Sequence, residues 1–224
     1  MPGHVLLPRP IHPDAVALLE AAPGVTVEAL AHDDPAGEAM RAALPRADAA
    51  ILRVTPFGAR ELAAAPRLRV VARHGVGYDL VDVGALTARG VPLTITPDAN
   101  AASVAEHALM LLLACARRVA GYDARVRALR WGPDPALPTF DLGGRAALVV
   151  GYGRIGARVA RLLAAFGMRV TVYDPRLPPG TVKGAGHAHA PDLRAALGGA
   201  DVVTLHLPAS EATRGMVDAG FLRR

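Results

Sequence analysis

Ala146-Ala-Leu-Val-Val-Gly-Tyr-Gly-Arg-Ile-Gly156 is the stretch that decides how this chain is read. A run of small and β-branched residues enters a glycine-rich turn. Ala157-Arg-Val-Ala-Arg-Leu-Leu-Ala-Ala-Phe166 then leaves it with the period of a helix. The turn, Gly151-Tyr-Gly-Arg-Ile-Gly156, is a G-x-G-x-x-G, weak alone but specific between a strand and a helix. Gly151 permits the tight turn, Gly153 lets backbone approach a pyrophosphate, and Gly156 lets helix and strand pack closely. Arg154 and Ile155 begin the helix, whose first-turn amides and positive dipole end suit phosphates. Asp174 ends the next expected strand, where a carboxylate accepts hydrogen bonds from an adenosine ribose and repels a 2′-phosphate. NAD is therefore expected over NADP, with Arg176 two residues on able to soften the preference.

Outward from that turn, short apolar strands alternate with alanine-rich helical stretches, the pattern of an α/β fold. Strands are expected at 4–7, 25–30, 49–54, 69–73 and 92–96, with helices at 14–22, 36–44, 59–64 and 80–89. These make a small doubly wound domain over residues 1–100. A second domain, 101–224, is opened by an interdomain helix at 101–130. Its first part, 101–117, is apolar on most faces, which implies burial between two layers. Trp131-Gly-Pro-Asp-Pro135 breaks the helix. Strands then follow at 146–150, 169–173 and 201–207, the first, second and fourth of this domain, with helices at 155–166 and near 192–197, and a third strand between them is at best short. The expected architecture is two doubly wound parallel-sheet domains, the first flavodoxin-like and the second an incomplete Rossmann domain. Its fourth strand (Val202, Val203, Leu205) is expected as an uncovered edge, a feature that invites aggregation.

Composition narrows the partners. With 52% hydrophobic residues and one cysteine, neither a disordered chain nor a disulfide scaffold fits. No apolar run approaches the ~18 residues of a membrane span. Met1 leads straight into a strand without a basic leader, so a cytoplasmic protein is the default. The net charge of +5 is carried by arginine, Lys183 being the only lysine, while alanine occurs 46 times and glutamine never. That skew is the mark of GC-rich coding. Without a basic module or interleaved aromatics, it does not point to nucleic acid. The dense arginines between 117 and 130 read as a solvated or subunit-contact helix face.

Several further stretches, in order, resemble the D-isomer-specific 2-hydroxyacid dehydrogenases. Arg73-His-Gly-Val-Gly-Tyr-Asp79 is similar to the loop whose backbone amides hold the substrate carboxylate in that family. Ala99-Asn-Ala-Ala-Ser-Val-Ala-Glu-His107 is similar to the segment lining the nicotinamide pocket. Asp141-Leu-Gly-Gly-Arg145 resembles the lead-in to the dinucleotide fold, and Asp201-Val-Val-Thr-Leu-His-Leu-Pro208 the strand whose end flanks the cofactor. The resemblance implies an NAD-dependent oxidoreductase of 2-hydroxy/2-oxo acids, homodimeric in its full-length form. It implies supporting cofactor contacts from Val76, Val104 and Leu207, and a carboxylate site at Gly75, Val76 and Gly77. The residues agree: Gly75 and Gly77 follow a strand, where small residues let amides face an anion.

Other residues read two ways. Arg53, at a strand end, reads equally as a ligand for a substrate anion or as a surface arginine. Asn100, the only asparagine, reads as a pocket residue or a helix N-cap. His107 and Cys115 read as core residues, and His187 and His189 make a poor metal site. The family's catalytic arginine, glutamate and histidine belong to segments beyond Pro208, and Arg89 in Thr87-Ala-Arg-Gly90 is a decoy in the wrong domain. The chain is therefore expected to be truncated, poorly soluble and without turnover, and no catalytic residue is assigned. The alternative is a dinucleotide-responsive, corepressor-like binding protein or a decayed fragment.

Overall fold

The structure, a computed structural model, describes residues 3–30 and 37–223. Met1, where the leader reading begins, Ala36, the expected start of the second helix, and Arg224 lie outside the described residues. The chain forms two compact units, 1–99 and 100–224.

The first unit runs β1 (Gly3–Leu7), α1 (Pro13–Glu20), β2 (Val25–Ala29), α2 (Glu38–Ala43), β3 (Ala49–Leu52), α3 (Ala59–Ala64), β4 (Val70–Arg73), α4 (Val83–Ala88) and β5 (Leu93–Ile95). Its strands pair in parallel in the order β2-β1-β3-β4-β5, the flavodoxin-like arrangement. Parallel strands covered on both faces carry continuous apolar runs, and β1 is buried at Val5, Leu6 and Leu7. Leu52, Phe57, Val71 and Leu86 complete the core around them. The fourth helix is shorter than the expected 80–89 because Asp82 caps it, accepting the Ala85 amide at 2.9 Å. Residues just before that cap are held by a bridge between Phe57 and Val81.

The second unit runs α5 (Ala101–Ala116), α6 (Val119–Arg127), β6 (Ala146–Val150), α7 (Arg154–Ala165), β7 (Arg169–Tyr173), α8 (Pro179–Gly184), β8 (Ala188–His189), α9 (Leu193–Leu197), β9 (Val202–Leu205) and α10 (Ala219–Leu222). The parallel order β8-β7-β6-β9 is the first four strands of a Rossmann sheet. The third strand is two residues long. Among the described residues β9 pairs only with β6, and Val203 and Leu205 on it are exposed. The proline-rich stretch after β7 contains α8, because a proline is tolerated in a helix's first turn.

The opening helix departs from expectation. It is not continuous to 130: Arg118 takes a left-handed φ of 51°, which ends α5 and starts α6 at a new angle. Nor is it buried all round. Only Ala101, Ala105 and Ala116 are fully buried, while Met110 and Leu111 are exposed. The helix docks one stripe of alanines and leucines against the core that α7 shares, and its high apolar content leaves surplus on the other faces. His107 and Cys115, expected in the core, both lie on exposed faces. No helix of the described residues is long and apolar enough to cross a membrane.

The two sheets share an anchor at the amino end of their inner strands. Asp48, just before β3, accepts the His4 amide of β1 at 2.9 Å and pairs with Arg67 at 3.0 Å. Asp201, just before β9, accepts the Ala146 amide of β6 at 2.8 Å and pairs with Arg145 at 3.0 Å. Both carboxyls are held below their ordinary pKa, chiefly by the backbone amide and then by the arginine.

Candidate dinucleotide site

In the second sheet the chain leaves β6 towards β7 on one side and returns to β9 on the other. The carboxyl ends of β6 and β9 therefore flank a topological switch point, where open α/β sheets bind ligands. The glycine turn follows β6 there. Gly151 has φ +91°, and a Cβ on it would stand 2.5 Å from the His206 carbonyl oxygen after β9. A Cβ on Gly156 would stand 1.9 Å from the Gly151 carbonyl oxygen, so the helix sits too close to the turn for any side chain. Gly153 differs: its backbone is extended and a Cβ there would meet nothing within 4 Å. The protein itself does not require a glycine at 153, which leaves the approach of a ligand as its physical reason.

Asp174 closes the turn. Its Oδ2 accepts the Tyr152 amide at 2.9 Å and its Oδ1 accepts the Arg176 amide at 2.9 Å. Each oxygen keeps a second lone pair, so the carboxylate can bind a sugar hydroxyl while it holds the loop. Gly151, Gly153, Asp174, Arg176, His206 and Leu207 all line one cavity of about 710 Å³, the size of a cofactor pocket. Arg154, Ile155 and Gly156 form the first turn of α7 beside it. Val104 is half-buried on α5 and is not among the residues lining this cavity.

The remaining predicted residues lie in the first unit, at the carboxyl end of its sheet. Gly75 follows β4 with φ +144°, and its carbonyl accepts the Thr96 amide at 3.1 Å. His74 donates its amide to Leu52 at 2.7 Å, so the Gly75-Val76-Gly77 loop is tied to the ends of β3 and β5. Arg53 follows β3 directly, is exposed, and donates from Nη1 to the Pro10 carbonyl at 3.1 Å. Asn100 sits at the N-cap of α5, but its side chain makes no capping bond.

Two histidines near the cavity have no place at this site in the sequence reading. His206, which lines it, is half-buried with Nε2 2.9 Å from Thr204 Oγ1. Burial lowers its pKa, which favours the neutral ring. Its position at a strand end by the switch point was the available signal. His187 is buried and meets the Tyr152 ring edge-on, with centroids 6.0 Å apart. Among the described residues its Nε2 has no hydrogen-bond partner, and burial lowers its pKa too.

A Rossmann-ordered sheet, a glycine turn that admits no side chain at 151 or 156, and a carboxylate at the end of the second strand define a dinucleotide-binding domain. Residues 109–224 match the family model described as D-isomer specific 2-hydroxyacid dehydrogenase, NAD binding domain. D-3-phosphoglycerate dehydrogenase of Mycobacterium bovis is 42% identical over 221 residues, covering 98% of this chain and 41% of that protein. Glyoxylate reductase of Korarchaeum cryptofilum is 41% identical over 177 residues, covering 77% of this chain and 53% of that one. A crystal structure of D-lactate dehydrogenase from Aquifex aeolicus, complexed with NAD and lactic acid, matches with a TM-score of 0.88 and 26% identity. It covers 99% of this chain and 65% of that one. The chain belongs to the D-isomer specific 2-hydroxyacid dehydrogenase family, and its cofactor is NAD. The cavity fits that cofactor on its own terms, since Gly153 leaves room at a helix start and Asp174 faces the same space. The chain spans less than half the length of the phosphoglycerate dehydrogenase relative.

Proposed function

We propose that this chain serves an NAD-dependent oxidoreductase of the D-2-hydroxyacid dehydrogenase type, acting on a small 2-hydroxy or 2-oxo acid. NAD, when bound, supplies hydride transfer. The observation that carries the reading is the joint placement of Gly151, Gly153, Asp174 and Leu207 around one cavity at the switch point. Arg154, Ile155 and Gly156 present the helix start to the pyrophosphate. In the first unit, amides of Gly75, Val76 and Gly77 hold the substrate carboxylate, with the charge of Arg53 nearby. The protein works in the cytoplasm and has neither a nucleic-acid nor a membrane partner.

Its protein partner is a second copy. Met110, Leu111, Val119 and Val126 expose apolar surface along α5 and α6, and Trp131 beyond them is 91% exposed. Residues 1–224 by themselves bind the cofactor without turnover. Reduction of a 2-oxo acid needs a cation at the carbonyl and an acid for the alkoxide, and burial, which lowers the pKa of the cavity histidine, disfavours it as that cation. Such a chain behaves as a dinucleotide-responsive binding protein.

NADH titration followed by fluorescence tests both parts. Saturable NADH binding is expected, weakened about tenfold or more by Asp174→Ala, with no 2-oxo acid consumed. An unchanged affinity in the variant would remove Asp174 from the site, and measurable turnover would refute the non-catalytic part.

A further inference from the structure

We propose that the same cavity also admits a 2′-phosphorylated dinucleotide, with Arg176 and Arg194 as the two cations that receive the phosphate. The proposal rests on the reading of this cavity as the cofactor site. Asp174 marks the place of the ribose edge, and both arginines line the cavity with it. Arg176 is fixed beside the carboxylate by its own amide, which donates to Asp174 at 2.9 Å. Among the described residues its guanidinium has neither a hydrogen-bond nor an ion-pair partner.

Arg194 comes from a different element, the first turn of α9, which Asp192 holds in place by accepting the Ala195 amide at 2.7 Å. Its guanidinium reaches Asp218 only at 4.0 Å, and the two side chains are 60% and 53% exposed. The other Asp218 oxygen is committed to the Phe221 amide at 2.6 Å, as the cap of α10. A long, solvated ion pair of this kind holds its arginine weakly. A phosphate offers the same guanidinium shorter, two-pronged hydrogen bonds, so exchange of partners is favourable.

The obstacle to a 2′-phosphate is the Asp174 carboxylate, and two features reduce it. Both of its oxygens already face backbone amides, which answer part of its charge. The charged residues lining the cavity are Asp174 and Asp218 against Arg176 and Arg194, so the lining is balanced rather than acidic. Leu177 and Leu193, the neighbours of the two arginines, give the cavity apolar surface for an adenine ring between them.

Parallel titrations of the 224-residue chain with NADH and NADPH, for wild type, Arg194→Ala and Arg194→Lys, test the proposal. In the wild type, the Kd for NADPH is expected within about tenfold of that for NADH. The ratio of the two Kd values should rise about tenfold or more in Arg194→Ala and recover in Arg194→Lys. Should loss of the Asp218 contact unsettle α10, Arg176→Ala gives the same readout, because its guanidinium holds nothing among the described residues. NADH binding without NADPH binding overturns the proposal and leaves the cofactor site standing. A ratio unmoved by either alanine variant also overturns it, because the arginines would then act on parts common to both nucleotides. If neither nucleotide binds, the cofactor site itself falls, and the proposal with it.

Discussion

Two glycines five and three residues apart from their turn partners answer to different constraints. At Gly156 an added methyl would stand 1.9 Å from a backbone oxygen, so Gly156→Ala must shift α7 off its strand. A loss at or above the upper end of about 1–3 kcal/mol is expected in urea denaturation. At Gly153 the methyl meets no protein atom, so Gly153→Ala should keep the melting temperature and weaken NADH binding. Sequence spacing assigned the three glycines separate roles, but how closely Gly151 and Gly156 approach other backbone is a tertiary fact that spacing does not carry. His187 was still less legible. A histidine in a glycine-rich stretch gives no sign of burial, yet it is buried beside Tyr152 with an unpartnered nitrogen. Burial lowers its folded pKa, so below the ordinary value of 6.5 the unfolded chain takes up the proton first. Stability is then lost as pH falls from there towards the folded pKa. His187→Leu, which removes the orphan nitrogen, should melt no lower at pH ~7.5 and lose less stability by pH ~5.5 in a thermal-melt series.

Strands were easier to read than the helix that joins the units. β6 and β7 have the expected bounds: β6 is a continuous apolar run buried along most of its length, and β7 alternates, with Val170 and Val172 buried. In α5 the same signal misled. A helix rich in alanine and leucine reads as buried all round, but a helix packed along one stripe leaves the excess exposed, His107 and Cys115 with it. The break at Arg118 has no glycine or proline to announce it. The paired anchors were also invisible, since an aspartate before a strand has no meaning until the neighbouring amide is known. Asp48 and Asp201 have lowered folded pKa values, so their contribution is complete above the ordinary carboxyl value of 3.8 and is lost as pH falls below it. In Asp201→Asn the decline in melting temperature below pH ~4 should be shallower than in wild type, from a lower starting point. An identical acid limb would remove the anchor's role.

For the molecule as a whole, alternation of strand and helix was enough to place two parallel sheets, and the strand orders follow the two doubly wound patterns. The cavity is built entirely from residues of the second unit. NADH at a hundred times its Kd should therefore stabilise that unit by about 2.7 kcal/mol. Hydrogen exchange should slow at residues 151–156 and 206–207, and protection absent from both segments would contradict the placement. The substrate stayed illegible, because a loop that binds through backbone amides reads a carboxylate and not the rest of the acid.

Asp174 recognises nothing without also tying its own loop, since the oxygens offered to a ribose are the ones that hold Tyr152 and Arg176 in place. Cofactor preference and local architecture are thus written in a single side chain, and a lineage cannot revise one without disturbing the other. Variation is cheaper at the rim. Changes in cofactor use should accumulate at positions such as 176 and 194 while the aspartate persists, which makes this carboxylate a poor target for redesign and its neighbours good ones.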